Sequence, residues 1–149
     1  MANEFNYNAC LSINHPTIDA RLISKALSSY LPIVEATAGS VACHANGSPY
    51  LPIRKSVQSY WLAQLHQEKL LYSGENDLSV FLEQHINLLS DHAEFIQNIL
   101  NEGRVVFKIA LYHITKYLAY EIESCVLAKV GAFGIGIEIH SFICNIETM

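Results

Sequence analysis

Alternation of apolar and polar residues is clearest in the last third of the chain. Arg104 to His113 reads RVVFKIALYH and Gly134 to Phe142 reads GIGIEIHSF. In the second segment Ile135, Ile137 and Ile139 share one side, and Gly136, Glu138 and His140 share the other. A side-chain period of two predicts strands with one buried and one wetter face. Phe5 to Asn14 has the same period, with Tyr7, Ala9, Leu11 and Ile13 on one side. His15-Pro16 ends that strand. Thr17 is placed to cap a helix through Tyr30, along which Ile18, Leu22, Ile23, Ala26 and Leu27 recur at helical spacing, and Pro32 stops the run.

Leu31 to Pro52 is the least regular stretch. Asn46-Gly47 is a turn dipeptide within it, with room for a short strand on either side. Strand character returns in Ile53 to Leu71 around Trp61, and Ser73-Gly74 makes a turn. Asp77 then caps an apolar stripe running from Leu78 through Phe81, Leu82, Ile86, Leu89 and Ile96 to Leu100. Ser90-Asp91 interrupts it, and Asp91 with Glu94 has capping-box spacing. The pattern fits one kinked helix or two consecutive ones, closed by Gly103. A last helix is expected from Ala119 to Val130, ended by Gly131. The order predicts one α+β domain over residues 1–149. Its expected form is a ferredoxin-like βαββαβ antiparallel sheet with helices on one face and an extra helix before the last strand.

Of the 149 residues, 51% are hydrophobic and 15% charged, which excludes a disordered chain and predicts a substantial core. So few charges also predict a surface with a self-association patch, most simply a homodimer. The apolar tail SFICNIETM is the expected place, with Phe142, Ile143 and Ile146 as interface residues. The net charge of −5 and the nine scattered Lys and Arg argue against nucleic acid as a partner. No apolar run approaches the roughly 20 residues of a membrane helix, and MANEFNYNAC lacks a signal-peptide pattern, so a cytoplasmic location is expected. Cys10, Cys43, Cys125 and Cys144 form no C-x-x-C pair and read as free thiols.

The opening strand and following helix, YWLAQL at Tyr60 to Leu65, NDLSVFLEQHINLL at Asn76 to Leu89 and GAFGIGIEI at Gly131 to Ile139 together resemble a bacterial domain of unknown function, DUF family 4279. The resemblance spans nearly the whole chain and rests on loose apolar patterns. The loop EATAGSVACHANGSP carries fewer charged residues than that family's pattern. The resemblance implies a fold and a bacterial source, and no activity.

Candidate chemistry is sparse. His85 and His92 are seven residues apart, about 10 Å along a helix and too far for one ion, so neither metal nor cofactor is expected. Cys43-His44 is a possible nucleophile and base, but adjacent side chains usually diverge. Trp61 is expected in the core. The polar face of the sheet should gather Cys10, Ser12, Lys108, Tyr112, Glu138 and His140, of which Ser12, Lys108, Tyr112, Glu138 and His140 are the candidate ligand- or partner-binding residues. Ordinary cross-strand pairing, such as Lys108 with Glu138, is the simplest alternative for that face. No nucleophile, base and orienting group assemble from the sequence. The expected function is therefore non-catalytic protein binding or self-association, with an immunity or regulatory role by fold-level analogy. The alternative is a small-molecule or enzymatic site on the polar sheet face or in the 36–50 loop.

Overall fold

A computed structural model describes residues 4–40, 48, 57–115 and 118–144. Among these residues six strands form one sheet: β1 (Asn6–His15), β2 (Pro32–Ala36), β3 (Ser59–Gln64), β4 (Leu71–Tyr72), β5 (Arg104–His113) and β6 (Gly136–Ile143). Four helices accompany them: α1 (Ala20–Ala26), α2 (Leu78–Ser90), α3 (Ala93–Leu100) and α4 (Ser124–Phe133). The strand order is β2-β3-β1-β5-β6, with β4 beside the start of β1. All pairings are antiparallel except β5–β6, which is parallel. The fold is thus α+β with a mixed six-stranded sheet. A wholly antiparallel sheet does not form, because α4 carries the chain back across before β6 enters, and such a return sets the strands parallel. The ferredoxin-like strand order is not confirmed by this arrangement.

β1 organises the sheet. Asn6 to Asn14 pairs with β5 on one side, while Cys10 to His15 pairs with β3 on the other. Tyr7, Ala9, Leu11 and Ile13 alternate toward the helices and are fully buried. Trp61 and Ala63 of β3, and Val105, Phe107, Ile109 and Leu111 of β5, lie beside them in register and join one core. Ile23 of α1, Leu82 and Leu89 of α2, Ile96 and Ile99 of α3, and Val126 and Val130 of α4 close that core from the helix side. Burying one such aliphatic side chain contributes roughly 1.5–3 kcal/mol, so this layer dominates stability.

The apolar stripe from Leu78 to Leu100 is two helices. Asp77 caps α2 by accepting from the Val80 N–H at 3.1 Å. Asp91 closes α2, and the cap position of α3 falls on His92, which makes no side-chain cap bond, so the capping box expected of Asp91 and Glu94 is not used. α1 starts at Ala20 rather than Thr17. The Thr17 and Ile18 N–H groups donate to His15 Nδ1, which holds them in a turn, and Asp19 is the cap. α4 likewise begins at Ser124 and continues through Gly131 to Phe133. A Cβ at Gly131 would meet open space, and the left-handed residue that ends the helix is Gly134, at φ +82°.

Gly103 is needed for a different reason. A Cβ there would stand 2.2 Å from the Asn14 carbonyl oxygen, where α3 turns into β5 beside the end of β1. Gly103→Ala should therefore lower stability by about 2 kcal/mol or more through backbone displacement. Gly131→Ala, in open helical space, should raise it by about 0.5–1 kcal/mol. Urea denaturation midpoints of the two variants check both signs.

Candidate functional site: the open sheet face and its edge strand

The face of the sheet away from the helices is not uniformly wet. In register it carries Asn8, Cys10 and Ser12 of β1, Tyr60 and Leu62 of β3, Val106, Lys108 and Tyr112 of β5, and Glu138, His140 and Phe142 of β6. Ser12 is only 1% exposed and Val106 is also buried. Lys108 Nζ lies 5.7 Å from the centroid of the Tyr60 ring. Lys108 sits opposite Cys10 and Tyr60 opposite Asn14, so this contact spans β1 over Ser12. The hydroxyl expected to face a ligand is thus buried, and Lys108 is turned toward Tyr60. Burial also raises the Cys10 thiol above its ordinary pKa, with Lys108 opposing the shift, so Cys10 is a neutral packing group.

Beyond Lys108 the face becomes exposed and aromatic. Glu138 is the register partner of Lys108, but its close contact is with His140 on its own strand, Oε1 to Nε2 at 2.6 Å. The hydrogen bond from His140, together with Lys108 and Arg104, holds the Glu138 carboxyl below its ordinary range. Tyr112 and Phe142 stack at 5.3 Å with an interplanar angle of 18°, and His140 stacks on Phe142 at 6.5 Å. Lys108, Tyr112, Glu138 and His140 are therefore brought together on the exposed part of the face, whereas Ser12 is buried. Phe142 is 47% and Ile143 61% exposed. Ile146 lies outside the described residues, as do Cys43, His44 and most of the 36–50 loop.

β6 is also the end of the sheet, with β5 its only strand neighbour among the described residues. It is eight residues long and has no proline. The opposite edge, β2, is five residues long, includes Pro32 and pairs with an irregularity between Pro32 and Val34. Proline and bulges blunt edge strands against pairing; β6 has neither.

Elsewhere, polar side chains serve the structure. Trp61 is in the core as expected, and its indole N–H donates to Ser24 Oγ at 2.9 Å, while Ser24 donates to Glu35. Ser79 of α2 accepts from the Glu123 N–H at 2.9 Å, serving the start of α4. His66 Nε2 accepts from the Ala9 N–H at 3.1 Å and thereby fills the ladder between β3 and β4. His113 Nδ1 lies 2.7 Å from the Thr115 carbonyl and its Nε2 2.7 Å from Ser141 Oγ. Among the described residues, no group of three or more His, Cys, Asp or Glu is arranged to hold a metal ion, and no helix is long and apolar enough to cross a membrane. No family model, curated protein or solved structure matches the chain.

The sequence did not disclose the role of His85. It lies buried in α2 with Nδ1 2.8 Å from the Tyr30 hydroxyl and its ring 4.5 Å from that of Phe81. Burial, then the neighbouring His66, lowers its pKa from 6.5 to about 4, and burial raises that of Tyr30 to about 12. The folded state thus binds the His85 proton less readily than the unfolded state does. Its contribution is fully present above pH 6.5 and is lost as pH falls toward 4, a loss of about 3 kcal/mol. Unfolding free energy measured across that window should fall accordingly. The double variant Tyr30→Phe/His85→Leu, which leaves neither partner unpaired, should flatten the slope.

Proposed function

We propose that this protein acts by protein binding, and that its first partner is a second copy of itself docked at β6. The observation that carries this is the contrast between the two sheet edges. β2 is short and blunted by Pro32, whereas β6 is long, free of proline and ends in the exposed Phe142 and Ile143. An edge of that length, with no strand beside it among the described residues, is a template for another strand, and a two-fold axis lets one strand supply both halves. A surface short of charge, in a chain that is 51% hydrophobic, supports the same reading. An immunity or regulatory role is the biological form such binding takes by fold-level analogy.

The small-molecule alternative has less behind it. Ser12 is covered, Lys108 is engaged with Tyr60, and Glu138 is paired with His140, so the groups expected to converge on a ligand are satisfied by one another. Light scattering at micromolar concentration should give twice the 16.7 kDa chain mass. Phe142→Asp should shift that mass to the monomer while leaving the circular dichroism spectrum and melting temperature nearly unchanged, since the ring is half exposed. A monomeric parent protein would end the proposal.

A further inference from the structure

We infer that two copies pair their β6 strands antiparallel about a two-fold axis through Ile139, so that Glu138 of each faces His140 of the other. This rests on the proposal of self-association at β6 and specifies its register. The Cys144 N–H donates to the His113 carbonyl oxygen at 2.8 Å, which shows which backbone groups β6 spends on β5. Along a strand these groups alternate sides. Residues 138, 140 and 142 therefore turn their N–H and C=O groups toward β5. Ile137, Ile139, Ser141 and Ile143 turn theirs to the outer side, where no strand lies among the described residues.

Antiparallel pairing between two copies must match outward residues with outward residues, so the axis falls on a residue and not between two. Side chains then choose among the centres. An axis at Glu138 sets Glu138 against the partner's Glu138, a like-charge contact. One at His140 sets His140 against the partner's His140 and leaves Glu138 opposite the partner's Phe142. One at Ile137 places Glu138 opposite the partner's Gly136, and one at Ser141 places it opposite the partner's Cys144.

Only the axis at Ile139 sets a carboxylate opposite an imidazole that can hydrogen-bond it, Glu138 against the partner's His140, and it does so twice. It also sets Phe142 opposite the partner's Gly136, where a ring covers a position without a side chain. The Ile139 side chains meet on the helix side. A two-fold axis perpendicular to the sheet keeps both open faces on the same side, so the Tyr112–Phe142 stacks of the two copies flank a common polar centre.

Cysteine pairing reads this register directly. In an antiparallel pair, Glu138 and the partner's His140 form a non-hydrogen-bonded pair with Cα atoms about 4.5 Å apart, a separation that a disulfide bridges. Each residue stands about 8 Å from its own counterpart across the axis, which is too far. Glu138→Cys and His140→Cys are made separately, both at exposed positions, then mixed in equal amounts and oxidised mildly. The parent protein controls for Cys125 and Cys144.

A covalent dimer on non-reducing electrophoresis in the mixture, and in neither variant alone, is the expected result. The linked pair keeps one intact Glu138–His140 contact. Linkage of Glu138→Cys alone or of His140→Cys alone would move the axis to that residue and overturn the inference. A dimer mass by light scattering with no linkage in any sample would overturn the register and leave self-association standing. A monomer mass for the parent protein would overturn both.

Discussion

Everything else in this fold depends on β1 being hydrogen-bonded on both sides while its helix-facing side chains are wholly buried. Tyr7, Ala9, Leu11 and Ile13 are spaced by the strand period, and each aligns with a core residue of β5. A one-residue slip would turn all four to the opposite face and bring Asn8, Cys10 and Ser12 into the core. The register is therefore held by burial of the whole row rather than by any one bond. The ladder is maintained even where strands are missing. Between β3 and β4, the Ala9 carbonyl accepts from the Leu65 N–H at 2.9 Å and the Ala9 N–H is taken up by His66. A central strand cannot leave these groups unpaired without a penalty of order 1–3 kcal/mol each.

Polar groups near this core follow the same constraint. Tyr7 is fully buried, yet its hydroxyl reaches the Asn76 carbonyl at 2.9 Å, and burial and Asp77 raise its pKa. Trp61 reaches Ser24, Tyr30 reaches His85, and Ser79 reaches the start of α4. Each bond ties a helix, or the chain entering one, to the sheet or to another helix. These histidines and hydroxyls look like candidate chemistry in a sequence, but their lone pairs and protons are spent on fixing one element against the next. That accounts for His15, His66, His85 and His113 without a ligand cluster among the described residues.

Alternation made β1, β5 and β6 legible, because a strand with one dry face must write its period into the sequence. The caps at Asp77 and the break at Ser90-Asp91 were legible for a similar reason, since both are local. Long-range competition was not. Thr17 has the chemistry of a cap, but His15 takes its N–H and Asp19 caps the helix, with Thr37 seventeen residues on accepting from the Ala20 N–H. Gly131 looked like a helix end because glycine is common there, while the conformation that stops α4 falls at Gly134. The candidate site was half legible. Period placed Lys108, Tyr112, Glu138 and His140 on one face, but it could not show that Lys108 would lean across β1 onto Tyr60 or that Ser12 would be buried.

The parallel β5–β6 pair is where fold and proposed function meet. Had β6 returned antiparallel through a short hairpin, the chain would have saved a crossover helix. The α4 crossover instead brings β6 in beside β5 from the same end, and Phe107 with Ile137 and Ile109 with Ile139 extend the core row by one strand. Ile137 and Ile139 remain only partly buried, because the row ends there with nothing described beyond it. Toward its end β6 becomes progressively more exposed, through His140, Ser141, Phe142 and Ile143. A strand that begins in the core and finishes as an aromatic, unblunted edge has surplus pairing capacity on its outer side. The other edge is interrupted by Pro32 and a register irregularity, so among the described residues β6 offers the longer uninterrupted run of outward backbone groups.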